Sequence, residues 1–200
     1  SVYKSSNKEP AAVVNANLLP PTGGQFVEND APALSPDGKH LAFTASVDTK
    51  VLLWVRDLDS GVVRSLNGTD GAAQPFWSPD NRSLAFYADN KLKRTDLAGG
   101  TPISLCPTAG NSYGGAWSPS NVILYSPSAT SGLSSVPAQG GECKPVTELT
   151  PSKELSHRGP AFLPDGHHFL FANRSSQNGQ GSLWVGDLNS KDRRELLHVE

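Results

Sequence analysis

Apolar residues in this chain come in threes. Leu41-Ala42-Phe43, Leu84-Ala85-Phe86, Ile123-Leu124-Tyr125 and Phe169-Leu170-Phe171 each begin four or five residues after a proline, with polar residues between. The prolines belong to four related tetrapeptides: Ser35-Pro36-Asp37-Gly38, Ser78-Pro79-Asp80-Asn81, Ser118-Pro119-Ser120-Asn121 and Leu163-Pro164-Asp165-Gly166. They recur at intervals of 43, 40 and 45 residues, the period of a propeller blade. Each tetrapeptide predicts a tight turn: Pro presets φ at its second position, and Gly or Asn at its fourth admits the left-handed conformation. A large apolar residue, Leu34, Trp77, Trp117 or Phe162, precedes each turn. That residue marks the end of strand A, and the triplet marks strand B. A third column, Leu53, Leu92, Leu133 and Leu183, marks strand C, and a fourth, Leu66, Leu105, Val146 and Leu196, marks strand D. Helical periodicity is nowhere sustained, and four short strands per repeat predict an all-β propeller of four four-stranded antiparallel blades. Their approximate bounds are 25–67, 68–106, 107–147 and 148–200, after an N-terminal segment at 1–24.

The composition agrees with this reading. Nineteen glycines and sixteen prolines supply the turns, and 36% apolar residues supply the core; a chain of this length buries about 70% of its unfolded surface. Seventeen basic and nineteen acidic residues nearly cancel and do not cluster, so no nucleic-acid footprint is expected. No apolar run reaches the length of a membrane-spanning helix, and Ser1–Pro10 lacks the apolar core of a signal peptide. Cys106 and Cys143 fall in or beside strand D of neighbouring blades. Outer strands fan apart, so two free thiols are expected, since a bridge needs Cα atoms within about 7 Å.

The Ser-Pro-Asp-Gly turn, the Trp before it and the Leu-Ala-Phe strand after it resemble the TolB-type, WD-like propeller repeat, over about residues 25–200. Gly114-Gly115-Ala116-Trp117, residues 136–141 and residues 156–166 are similar to the propeller attached to bacterial eukaryotic-like serine/threonine kinases. That resemblance implies a sensor or protein-interaction role in a signalling protein, on the periplasmic or extracytoplasmic side. No kinase signature occurs in the chain itself.

Chemistry is sparse. His40, His167 and His168 fall at the A–B turn or the start of strand B, where a solvated role is expected and no metal or cofactor is called for. Asp57, Asp96 and Asp187 recur at one position of the C–D turn, which suits capping rather than paired catalysis. No Gly-x-Ser-x-Gly elbow is present, so no catalytic residues are assigned and the chain is expected not to be an enzyme. Trp54 and Trp184 are expected to pack between blades. The A–B and C–D turns are uniformly tight, whereas length varies in the B–C connections (44–52 against 87–91) and the D–A connections (106–115 against 147–159). Recognition concentrates on such loops, which nominates Tyr113, Lys153, Glu154, His157, Arg158 and Arg174 as contacts to a protein partner or other ligand. The leading expectation is a non-catalytic binding module; the alternatives are the propeller of a larger prolyl-oligopeptidase-like hydrolase, or a structural envelope protein.

Two structural expectations complete the reading. Leu34, Trp77, Trp117 and Phe162 share a column and should all be buried between blades. Residues 11–19 could supply a stray outer strand, but 192–197 already completes blade four, so the blades should form an open arc prone to self-association.

Overall fold

The four proline turns close as their residue types dictate. The computed structural model describes residues 18–110, 113–175 and 180–198. Gly38, Asn81, Asn121 and Gly166, the fourth residues of the turns, all hold φ between 59° and 75°, the region glycine enters freely and asparagine tolerates. In the first two turns the serine hydroxyl donates to the turn aspartate, Ser35 to Asp37 and Ser78 to Asp80, each at 2.6 Å. The same hydroxyls accept the amides of His40 and Ser83, each at 2.9 Å. Each turn is thereby fastened to the first residue of strand B.

The strands form four antiparallel sheets in chain order. In blade one, β1 (Gly24–Phe26) and β2 (Ala33–Leu34) are two halves of strand A, both paired with β3 (His40–Val47), followed by β4 (Lys50–Asp57) and β5 (Val63–Ser65). Blade two is β6 (Ala73–Trp77), β7 (Ser83–Ala88), β8 (Lys91–Asp96) and β9 (Ile103–Pro107). Blade three is β10 (Gly115–Trp117), β11 (Val122–Tyr125), β12 (Ser134–Pro137) and β13 (Lys144–Pro145). Blade four is β14 (Glu154–Phe162), β15 (His168–Ser175), β16 (Gly181–Asp187) and β17 (Arg193–His198). The expected long B–C connection at 44–52 is corrected: β3 and β4 run on to a two-residue turn, Asp48-Thr49, both at positive φ like Asp89-Asn90 in blade two. Both are hairpins whose twist matches that of the flanking strands.

Alternate residues of strand B face opposite neighbours. In blade two, Leu84, Phe86 and Ala88 pack with Ala42, Leu53 and Val55 of blade one, while Ala85 and Tyr87 pack with Ile123 and Tyr125 of blade three. Leu124 and Leu133 of blade three meet Phe169 and Phe171 of blade four, with Trp184 and Phe162 beside them. Trp54 joins Leu41 and Phe43 on the outer side of blade one instead of between blades. Trp77 and Trp117 are buried at these junctions, and the Trp77 indole N–H donates to the Ala33 carbonyl at 2.8 Å.

Leu34 departs from expectation. It pairs with Leu41 as Trp77 pairs with Leu84, yet it is 57% exposed, because its column points to the side where a preceding blade would stand. Phe162 is half-buried. The inter-blade contacts run from each blade to the next, so the propeller is an open arc. Its trailing face bares Leu170, Ala172, Leu183, Val185 and Leu197, half-buried or exposed. On the leading face Phe26 meets Phe43 edge to face, and the Leu19 carbonyl accepts from Arg56 at 2.8 Å. The suggested stray strand at 11–19 falls mostly outside the described residues, and Leu18 and Leu19 are not in a strand.

The expectation of free thiols is overturned: Cys106 and Cys143 form a disulfide, with Cα atoms 6.2 Å apart. Pairing of β8 with β9 slips between Leu92 and Lys93, and Cys106 lies buried in the junction with blade three. Cys143 precedes β13 and packs against that same cluster. The bridge therefore crosses between blades two and three.

Two outcomes follow. Trp77→Ala should cost about 3–5 kcal/mol, as large buried aromatics do, whereas Leu34→Ala should change stability by less than about 1 kcal/mol; denaturant midpoints measure both, and equal effects would contradict the open leading face. Reducing the disulfide, which spans a sequence separation of 37, should cost about 4 kcal/mol by loop-closure entropy, read as a drop in midpoint with dithiothreitol that a Cys106→Ser/Cys143→Ser variant does not show.

Candidate functional site: the axial groove

Strand A is irregular at one place in every blade. Gln74, Gly114 and Gly159 stand three residues before Trp77, Trp117 and Phe162, and they hold φ of 50°, 76° and 55°. Pairing with strand B skips across Gln74 in blade two and across Gly159 in blade four, while in blade one β1 and β2 are separated outright. Such bulges turn a backbone amide out of the ladder. Here each amide turns toward the preceding blade. Gln74 N–H donates to the Asp30 carboxylate at 2.8 Å, Gly114 N–H to the Gln74 side-chain carbonyl, and Gly159 N–H to the Tyr113 carbonyl at 2.8 Å. The Tyr87 hydroxyl adds a bond to the Gly114 carbonyl at 2.8 Å. Gly115 has no room for a side chain, since a Cβ would lie 2.4 Å from the Phe76 ring.

These four irregular points of strand A line a groove of about 390 Å³ at the centre of the arc. Asn29, Ala31 and Pro32 contribute from blade one, Gln74, Pro75 and Phe76 from blade two, Tyr113, Gly114 and Gly115 from blade three, and Arg158 and Gly159 from blade four. The Arg158 guanidinium carbon lies 3.6 Å from the Tyr113 ring centroid, a stacked cation–π contact. Arg158 Nε donates to Ser156 Oγ at 2.7 Å and Nη2 to the Ala129 carbonyl at 3.3 Å, so the guanidinium is held in place before any ligand arrives. Apolar walls with a few fixed polar groups are the usual make-up of a recognition groove.

The six residues nominated from sequence separate into three groups. Tyr113 and Arg158 meet in the groove. Lys153 and Arg174 are exposed at one end of blade four, where β14 begins opposite the end of β15. Glu154 and His157 lie inside the blade. Arg193 donates to both Glu154 oxygens, at 3.0 and 2.9 Å, and Asn173 Nδ2 donates to Glu154 at 2.8 Å. Arg193 Nη1 also stands 3.0 Å from His157 Nε2. A guanidinium only donates, so Nε2 accepts, and Nδ1 carries the proton toward Thr147 Oγ1 at 2.7 Å. His157 is therefore held neutral: burial, and secondarily Arg193, push it down to about 4 against the opposing pull of Glu154. Burial acts to raise Glu154, but the bonds from Arg193 and Thr150 outweigh it and hold the carboxyl below its usual range.

Asp57 and Asp187 act as caps, Asp57 accepting the amides of Asp59 and Ser60 and Asp187 that of Asn189, whereas Asp96 accepts from the Ser83 hydroxyl and Arg94 instead of a turn amide. Sequence reasoning missed Asp30 and Gln74, whose isolated polar side chains carry no motif. The glycines at 114, 115 and 159, three residues or fewer before a strand-ending aromatic, were the available signal.

The profile of the TolB beta propeller domain matches residues 23–200. The chain belongs to the TolB beta propeller family. A TolB homolog from Chlorobium chlorochromatii is 34% identical over 92 residues, 44% of this chain and 21% of that protein. The uncharacterized peptidase YuxL of Bacillus subtilis is 26% identical over 173 residues, 82% of this chain and 24% of that protein. In fold, the TolB propeller arc matches crystalline TolB from Acinetobacter baumannii with a TM-score of 0.67 at 23% identity, over 86% of this chain and 43% of that one. The chain thus spans about a quarter or less of the curated relatives' length. No helix among the described residues is long and apolar enough to cross a membrane.

The buried His157 sets a pH dependence for this TolB-type propeller. Its folded pKa, about 4, lies below the unfolded value near 6.5, so the unfolded state takes up the proton first. Stability should be full above pH 6.5 and fall by on the order of 3 kcal/mol as pH drops to 4. Glu154, also lowered, adds loss only below its own unfolded value of about 4.5. Denaturant titrations across pH 4–7 check this, and His157→Gln should flatten the slope.

Proposed function

We propose that this TolB-type arc is a non-catalytic binding module that holds an extended segment of a protein partner in its axial groove. The observation that carries this reading is the groove itself: all four blades contribute to it, and its one stacked guanidinium, Arg158 on Tyr113, is braced by Ser156 and Ala129. Preorganisation of that kind lowers the ordering cost of association. Lys153 and Arg174 add positive charge at the exposed end of blade four, where they would meet a partner extending beyond the groove.

The inter-blade disulfide supports an extracytoplasmic setting, because structural disulfides persist in oxidising compartments. In its finer form the module is the sensor part of a bacterial signalling protein, a reading supported by the kinase-propeller resemblance of Gly114-Gly115-Ala116-Trp117 and residues 156–166.

A second reading is favoured by one observation, the similarity to YuxL over most of this chain: the arc is the propeller of a larger peptidase, and the groove admits substrate to a catalytic domain elsewhere.

Tyr113→Ala and Arg158→Ala should each weaken capture of the partner from an extracytoplasmic extract about tenfold, near 1.4 kcal/mol, with unchanged thermal melts. Equal capture by wild type and both variants would remove the groove from the reading. A gene that continues into a Gly-x-Ser-x-Gly domain would favour the peptidase propeller instead.

A further inference from the structure

Blade four departs from its siblings at the base of the sheet, where the A–B and C–D turns meet. Blades one and two place a carboxylate in each turn, Asp37 with Asp57 and Asp80 with Asp96, and a permanent cation, Lys39 or Arg82, three residues after the turn proline. Blade four keeps both carboxylates, Asp165 and Asp187, but has His167 where the others have Lys or Arg, followed by His168. An ammonium or guanidinium has no lone pair to offer, whereas a neutral imidazole has one.

A second departure removes one donor from the turn carboxylate. Leu163 replaces the serine whose hydroxyl occupies Asp37 and Asp80 in the earlier turns. Asp165 Oδ1 accepts the amide of His167 at 3.0 Å, as Asp37 and Asp80 accept those of Lys39 and Arg82, and also that of His168 at 2.9 Å, which orients the carboxyl and leaves Oδ2 facing the imidazoles. Oδ2 is 2.7 Å from His168 Nδ1 and 3.9 Å from His167 Nε2. His167 Nδ1 is 3.3 Å from Asp187 Oδ1 on the facing turn. The two rings lie 4.2 Å apart between centroids, and one ligand atom from each of Asp165, His167 and His168 falls within 4.8 Å of the others. A tetrahedral shell with bonds of about 2.0–2.1 Å sets its donors about 3.3 Å apart. These side chains are about 40% exposed, so a rotation of each closes the difference.

We propose that Asp165, His167 and His168 form a divalent transition-metal site on the A–B turn of blade four, in which His167 binds through Nε2 while Asp187 on the C–D turn holds its Nδ1–H. Two imidazoles and one carboxylate, with the fourth position open to solvent, suit Zn(II) or Ni(II), while the all-oxygen preference of Mg(II) and Ca(II) leaves them poor fits. The fixed Asp165 Oδ1 bonds act as the outer support that orients a metal ligand. His40, between Asp57 and the Trp77 ring, and His198, beside Glu195, are single imidazoles and serve as internal controls.

The test is calorimetric titration of the full chain with zinc chloride at neutral pH. One Zn(II) per chain at micromolar affinity is expected, weakened about tenfold or more by His167→Gln and by His168→Gln, and unchanged by His40→Gln or His198→Gln. Zinc should also shift the imidazole nitrogen resonances of His167 and His168 in the unmodified protein and leave those of His40 in place, a readout that needs no variant to fold. Absence of uptake, retention of wild-type affinity in both blade-four variants, or resonance shifts confined to other histidines would overturn the site.

Discussion

Every sheet in this protein has two apolar faces, and neither can be left in water. Strand B shows the constraint most directly: Leu84 and Phe86 point one way, Ala85 and Tyr87 the other, and all four are buried only because a blade stands on each side. A sheet four strands wide cannot satisfy this alone, so each blade's stability resides largely in its junctions. The margins show what the junction supplies: Leu34 keeps its column, and in strand D of blade four Leu197 rather than the expected Leu196 stands opposite Leu183, yet both Leu34 and Leu197 are more than half exposed.

Apolar burial is indifferent to the angle between blades; polar bonds are not. The bulge amides at Gln74, Gly114 and Gly159 each reach an acceptor on the blade before. Arg64 and Arg94 repeat the device farther out, donating to the carbonyls of Leu97 and Ala138 on the following blades. Inner and outer bonds together fix the opening of the arc, and the groove is the space this opening leaves. Its shape is thus a property of the repeat, while its chemistry, the Arg158–Tyr113 stack, comes from residues that do not repeat.

The architecture was legible because turn chemistry and strand columns are local and occur four times. What was not legible depended on register or on tertiary approach. Fanning outer strands argued against a bridge, but Cys106 and Cys143 meet at the junction of blades two and three, beside a pairing slip between Leu92 and Lys93 that no composition or spacing announces. Glu154 and His157 looked like loop residues because they fall in the long D–A connection at 147–159, but β14 begins at Glu154 and Arg193, distant in sequence, supplies the charge that makes their burial tolerable. Tyr113 and Arg158 were nominated from loop position alone. Their partnership across blades three and four is a matter of geometry that the chain order conceals.

The covalent bond between blades two and three also makes the arc mechanically unequal. Within the arc, blades one and four are joined to their neighbours by the main chain and packing but by no disulfide, so a protease exploiting transient openings cuts them away more readily than the bridged pair. The central pair remains as a tethered remnant. It carries Gln74, Phe76 and Tyr113 but has lost Arg158, so attrition from the blade-four end dismantles the groove's cationic stack before it reaches the inner core.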